Sequence, residues 1–280
     1  MDRKSVKPWL VGNFTLRRLV LSLLEIYAII VAYVYFVVSD GMIFPSRHSG
    51  YPDGLDILKI QTSDGGRISA VYLPNTNAAF TILYSHGNAE DLGDIRPILD
   101  MFREAGFAVF AYDYRGYGTS DGKASAGNAQ RDAEAAYRYL VDTLRVSPDR
   151  IIAHGRSVGA ALALHVAARE PVAGVILESP FVTAFRVLTV IPVSPLDKFR
   201  NIDLIRKIHQ PILIIHGTED NTIPCWHGQK LYEAANEPKF CLWVKGAAHD
   251  DVMWVGGNQY WDAFRKLTGF ASLSRTTVRR

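Results

Sequence analysis

Cysteine is scarce. The 280 residues hold two, Cys225 and Cys241, which make no disulfide framework and leave the redox compartment open. No Cys/His spacing of a zinc site occurs, no repeat or low-complexity tract stands out, and no metal or organic cofactor is expected. Charge of one sign is also lacking. Thirty-one Lys and Arg against 28 Asp and Glu give a net charge of +3, too small and too dispersed to indicate a nucleic-acid partner. No G-x-G-x-x-G follows the first expected parallel strand and no P-loop lysine appears, so a phosphate cradle fits poorly. What is abundant is apolar: 48% of residues. That excludes disorder, and the length suits one large α/β domain with an extension.

The extension is N-terminal. Residues 19–38 read LVLSLLEIYAIIVAYVYFVV, and twenty helical residues span about 30 Å, the thickness of a bilayer core. Thirteen of them are Leu, Ile, Val or Phe, which together favour insertion by roughly 4–8 kcal/mol, against at most about 3 kcal/mol for Glu25. The pattern predicts a single transmembrane helix over 19–38 after a short basic segment, 1–18, with Trp9, Tyr33 and Tyr35 as interfacial anchors. A cleaved signal peptide would need a shorter apolar region and a better cleavage site than Val37-Val38-Ser39. A core helix or an interfacial helix would need a polar face. Arg3, Lys4, Lys7, Arg17 and Arg18 precede the span, and Arg47 alone follows closely, which places the N-terminus in the cytoplasm and the rest of the chain on the opposite side.

A connector, 39–54, leads into a domain over 55–272, followed by a basic tail, 273–280, that carries Arg275, Arg279 and Arg280. Two segments, 55–61 and 67–73, read as an antiparallel pair around Ser63-Asp64-Gly65-Gly66. Then short, continuously apolar strands at 81–84, 108–111, 151–153, 175–177, 212–215 and 241–244 alternate with helical segments near 91–105, 128–145, 157–169, 226–236 and 257–269. Strands apolar on both faces, separated by helices, predict a mostly parallel, eight-stranded sheet with helices on both faces. The alternation breaks once, between Leu177 and Ile212, where Pro180, Pro192 and Pro195 occur. The segment 181–206 is expected to form a small lid; a plain crossover is the alternative.

Gly155-Arg156-Ser157-Val158-Gly159 sits between the apolar run Ile151-Ile152-Ala153 and the helix-forming run that starts at Ala160. In that strand–turn–helix setting G-x-S-x-G is a nucleophile elbow. Serine needs a base, and the base needs a carboxylate to fix its tautomer. His249 follows the last strand in a loop of small residues at the carboxyl edge of the sheet, where ligands collect, and is the expected base. His86 and His216 end strands but precede glycines; His154 lies in or beside the strand before the elbow. His48, His165, His209 and His227 read as helix or surface residues. Asp220, after the turn that ends the preceding strand, is the expected acid, with Glu219 and Glu178 as alternatives. The oxyanion hole is expected from the backbone amides of Val158 and of Asn88, in the loop after the first parallel strand. Residues 113–118 should brace the loops around the site.

Taken together, Ser-His-Gly-Asn-Ala-Glu-Asp-Leu-Gly at 85–93, Asp-Tyr-Arg-Gly-Tyr-Gly at 113–118, the elbow at 155–159, His-Gly-Thr-Glu-Asp at 216–220 and His249 resemble the α/β-hydrolase superfamily. The chain looks most like the small membrane-anchored α/β-hydrolase-domain serine hydrolases, a group that includes protein depalmitoylases and Bem-type proteins and whose domains are often classed with serine aminopeptidases. The resemblance implies a Ser157–Asp220–His249 triad; a small apolar lid that suits an acyl chain, and an anchor that places the site near lipid, point to an ester or thioester of a small-molecule or lipid-like acyl substrate. A peptidase with the same triad is the alternative; a catalytically idle membrane scaffold is a further one. The chain departs from the depalmitoylating members in one respect: they carry a cysteine-rich, lipidated N-terminus, whereas no cysteine precedes Cys225 here.

Overall fold

The structure, a computed structural model, describes residues 16–45, 48–54, 56–189 and 191–278. Arg3, Lys4, Lys7, Trp9, Arg47, Leu55, Arg279 and Arg280 lie outside the described residues. In chain order the strands are β1 (Leu58–Gln61), β2 (Arg67–Leu73), β3 (Thr81–Ser85), β4 (Ala108–Tyr112), β5 (Ile151–Arg156), β6 (Gly174–Glu178), β7 (Ile212–Gly217) and β8 (Lys239–Val244). They form one sheet in the order β1-β2-β4-β3-β5-β6-β7-β8. The β1–β2 and β2–β4 pairs are antiparallel and all other pairs are parallel. This is the α/β-hydrolase sheet. β1 starts later than expected, because a turn closed by the Ile57 amide on the Gly54 carbonyl (3.1 Å) occupies its approach.

The α-helices are α1 (Leu16–Tyr33), α2 (Ser39–Ile43), α3 (Leu92–Glu104), α4 (Ala126–Arg138), α5 (Val158–Ala167), α6 (Asn201–Leu204), α7 (Trp226–Ala234) and α8 (Val252–Val278), the last kinked at Gly257. Successive strand residues point to opposite faces. Val109, Ile152, Ile176 and Leu213 enter one core with α3 and α8, while Phe110, Ala153, Leu177 and Ile214 enter the other with α4 and α5. All residues of β3 to β7 are buried, which explains why these strands are apolar without alternation. Because β3 has β4 on one side and β5 on the other, the connections diverge there. The crevice outside the carboxyl ends of β3 and β5 is therefore the natural ligand position.

Two segments differ from expectation. The N-terminal helix does not end at Val38: α1 passes through a π-helical turn, Val34–Val38, into α2. Buried Ser39 bonds back to the Tyr35 carbonyl at 2.7 Å, so nothing stops the helix before Ile43. Among its described residues the break in alternation contains short helical turns, at Phe185–Val187 and Ile205–Lys207, together with α6. Its neck is tied by the Ala184 amide on the Lys198 carbonyl (2.9 Å) and by Asp197, which accepts from Thr183 and from the Phe185 amide. The loop beyond this neck exposes Leu188, Ile191 and Val193.

Candidate active site

The elbow forms because β5 must turn into α5 within one residue. Ser157 takes φ 56° and ψ −118°, a conformation that costs energy for a side-chain-bearing residue. Its amide is held by the Glu178 carbonyl of β6 at 2.9 Å. The flanking glycines allow the close approach. A Cβ on Gly155 would lie 2.0 Å from the Gly159 carbonyl oxygen, and a Cβ on Gly159 would lie 2.0 Å from that of Ser85. Ser157 is left 8% exposed at the end of the crevice.

The loops after β7 and β8 bring two further groups to the serine. His249 Nε2 lies 3.2 Å from Ser157 Oγ, and His249 Nδ1 lies 2.7 Å from Asp220 Oδ2. In the tautomer this requires, Nδ1–H donates to Asp220 and Nε2 accepts from the serine hydroxyl. Asp220 is buried, and its other oxygen accepts the amides of Thr222 (2.9 Å) and Ile223 (2.7 Å). Burial alone would raise this carboxyl. Hydrogen bonds from His216 and His249 outweigh it and hold Asp220 well below the usual carboxylate range. The alternatives for the acid sit elsewhere. Glu219 is exposed, and buried Glu178 accepts from the Tyr260 hydroxyl at 2.7 Å.

His216 has a role that its sequence position did not disclose. Its Nε2 is 2.7 Å from the Ile223 carbonyl and 3.2 Å from Asp220 Oδ2, so it flanks the same carboxylate as His249. His86 is buried against Asp113 at 3.2 Å and stacked on Tyr114. His154 is buried in β5, 3.8 Å from Glu178. His165 and His227 are helical but buried rather than superficial.

The loop after β3 turns through Ala89, at φ 58°, and places Asn88 in the same cavity as Ser157 and Val158. Glu90 folds under it, accepts the Gly87 amide at 2.9 Å and pairs with Arg156 of the elbow. Arg156 also lies 3.8 Å from Asp250, beside His249. One guanidinium therefore links the Asn88 loop, the elbow and the histidine loop, an arrangement with no sequence signature beyond unlike charges in separate motifs. Residues 113–118 act as braces: Asp113 accepts the Leu92 amide (3.0 Å) and the Tyr51 hydroxyl, and Arg115 binds Asp132 and Asp64. Among the described residues no group of three or more His, Cys, Asp or Glu is arranged to hold a metal.

Above the serine is a cavity of about 610 Å³, within the range of small-molecule sites. Asn88, Ser157 and Val158 form its floor; Phe185, Leu188 and Val193 line one side; Tyr27, Val31, Val34 and Val38 of the N-terminal helix line the other.

An elbow serine at the carboxyl edge of this eight-stranded sheet, with Asp and His on the loops after its last two strands, is the arrangement of the α/β-hydrolase class. The family described as serine aminopeptidase S33 matches residues 76–199. The α/β-hydrolase domain-containing protein 17B of Homo sapiens is 39% identical over 221 residues, covering 77% of this chain and 75% of that protein. The 17C protein of Xenopus tropicalis is 36% identical over 204 residues, covering 71% and 66%. The chain belongs to the α/β-hydrolase domain-containing family, and it is a hydrolase. Among solved structures, an esterase from Pyrococcus furiosus superposes with a TM-score of 0.67 at 22% identity, covering 80% of this chain and 98% of that one. The esterase domain of a Rhodothermus marinus protein gives 0.56 at 21%, covering 79% and 97%. At these identities the two structures share the fold.

Proposed function

We propose that this chain is a serine hydrolase that cleaves a carboxylic ester or thioester through an acyl-enzyme. Ser157 Oγ attacks the carbonyl carbon while His249 Nε2 takes its proton; Asp220 orients His249 and stabilises the imidazolium. The amides of Val158 and Asn88 hold the oxyanion. His249 then protonates the departing alcohol or thiol, and water, activated by the same histidine, releases the acid. The observation that carries this reading is the unbroken contact from Ser157 through His249 to Asp220. The apolar cavity over Ser157 favours an acyl chain as the group bound. A fluorophosphonate probe should label the wild-type protein and not Ser157→Ala; equal labelling of the two would refute the assignment.

The peptidase reading needs an anionic or hydrogen-bonding subsite for a peptide amine. Its two candidates are engaged elsewhere, Glu90 with Arg156 and Glu178 with Tyr260, which favours the ester. Release of aminocoumarin from an aminoacyl substrate would reverse that preference.

The apolar N-terminal helix serves in this reading as a membrane anchor. Residues 19–38 form the span, 39–54 connect it to the catalytic domain over 55–272, and 181–206 act as the lid. The Lys/Arg excess before the span sets the N-terminus in the cytoplasm and the domain on the other side. In this reading the helix is retained rather than cleaved: Tyr27, on the N-terminal side of any cut at Val38, bonds the Val193 carbonyl, and the helix runs on past Val38 into the domain. Asp40 accepts the Ala126 amide at 2.9 Å and pairs with Lys198 at 2.7 Å, and Phe44 packs on Tyr114, Tyr117 and Phe199. An N-terminal peptide of the mature protein that begins after residue 38 would overturn retention, and digestion of the domain by protease added to the cytoplasmic face would overturn its sidedness.

A further inference from the structure

We infer that the N-terminal helix is itself a wall of the acyl-binding site, so that the length of acyl chain the enzyme accepts is set by residues of its anchor. The inference rests on the reading of Ser157 as the nucleophile. A helix that only tethers a domain has no reason to present one stripe to the reacting atoms, yet this one does. Tyr27, Ile30 or Val31, Val34, Val38 and Met42 recur at the three-to-four-residue spacing of one helical face, and that face lines the cavity that has Ser157 in its floor. The opposite face is turned away: Phe36 is 73% exposed and Ile29 68%.

The wall is fastened at both ends to the parts it works with. At its upper end the Tyr27 hydroxyl donates to the Val193 carbonyl of the lid segment at 2.6 Å. At its lower end Asp40 binds Lys198 and the first turn of α4, and the Lys198 ammonium also sits 5.3 Å from the Tyr35 ring centroid. The π-helical turn at Val34–Val38 falls between these fastenings, in the wall of the cavity that Ser157 also lines. Such turns insert an extra residue and redirect the side chains that follow, and here Val34 and Val38 both face the cavity. Among the described residues no charged side chain lines the pocket. Its occupant is therefore an extended hydrocarbon, with the scissile carbonyl at Ser157 and the chain running between helix and lid.

The test uses the full-length protein in detergent micelles and p-nitrophenyl esters from butanoate to hexadecanoate. Val34→Trp and Val38→Trp shorten the cavity and should lower the hexadecanoate-to-butanoate ratio of kcat/KM about tenfold or more, the scale on which a hydrophobic pocket discriminates chain length. Phe36→Trp, on the outer face, should leave the ratio unchanged. A second measurement avoids bulky substitutions. In Val38→Cys, alkylation of the introduced thiol, followed by mass spectrometry of its peptide, should slow at least about fivefold when Ser157 carries a long-chain fluorophosphonate, relative to a methyl one. The thiol introduced by Phe36→Cys should not respond. Unchanged ratios in Val34→Trp and Val38→Trp, or equal alkylation of Val38→Cys under both probes, overturns the inference while labelling of Ser157 leaves the serine-nucleophile reading intact. Failure of the wild-type protein to label at Ser157 overturns the serine-nucleophile reading instead.

Discussion

Ser157 stands on a floor in which every residue of β5 and of α5 is buried, whereas α1, on the opposite side of the same cavity, has no buried residue from Leu16 to Tyr33. The floor is held by ladder hydrogen bonds, by strand–helix contact too close for a Cβ, and by a carboxylate with four partners. The roof rests on a few polar fastenings, at Tyr27, Asp40 and Asp197, with apolar side chains between them. The floor has little freedom to move the reacting atoms. The roof can change its lining without disturbing them. On the proposed reading, chemistry and choice of substrate fall to different kinds of structure.

The strongest way to break this contrast is to disturb the floor. Gly159→Ala places a methyl group against the Ser85 carbonyl, and since backbone cannot step aside cheaply it should cost at least about 4 kcal/mol or prevent folding; a thermal unfolding midpoint equal to wild type would show the floor to be more pliable than described. Asp220→Asn keeps the shape but permits the wrong histidine tautomer. It should lower kcat about 10⁴-fold, with the fold retained by circular dichroism; a loss below tenfold would remove Asp220 from the triad. Glu90→Gln keeps an acceptor for the Gly87 amide and loses the charge that faces Arg156. A drop of about tenfold in kcat at constant KM is expected, short of the loss of a whole oxyanion donor, and no change would mean that the Asn88 loop holds itself.

The smallest effect belongs to the base of the lid segment, at Val182. His227 accepts the Val182 amide on Nδ1 at 3.2 Å, so it must be neutral there. Burial pushes its pKa down to about 4, with His216 and Arg186 adding to the effect; the unfolded value is about 6.5. The unfolded chain therefore binds the extra proton first on acidification. The contribution of His227 is whole above about pH 6.5 and is lost as the pH falls toward 4. His227→Gln should flatten the acid limb of the stability profile, by about 2–4 °C in Tm for each kcal/mol removed. Parallel limbs for the two proteins would show that His227 carries no such linkage.

The sheet was legible because parallel strands covered on both faces leave unbroken apolar runs, and β3 to β7 are such runs. Ser157, Asp220 and His249 were legible as candidates because each follows a strand at the carboxyl edge of the sheet, where parallel pairing gathers the loops. The link from Glu90 through Arg156 to Asp250 was not, since nothing in an acidic or basic residue announces a partner 66 positions away. His216 was passed over because the glycine after it gives no hint of the carboxylate four residues on. The N-terminal segment was recognised as a helix by hydropathy, but hydropathy records only that a face is apolar, and acyl chain, lipid and protein all satisfy such a face. Its extension to Ile43 depended on Ser39 and Asp40, polar residues that read as a connector until their partners, Tyr35 and Lys198, are known.

The hydrogen bond between Tyr27 and Val193 also fixes a waterline. If residues 19–38 cross the hydrocarbon, Tyr27 lies about 12 Å along the span, and the carbonyl it binds must lie at the same depth. Irregular backbone is tolerated at that depth only where protein covers it, and the Tyr27 phenol covers the Val193 carbonyl. Leu188 and Ile191, exposed on the same loop, would then be submerged alongside. The protein would float with draught, partly sunk in the leaflet, rather than hang above it on a stalk.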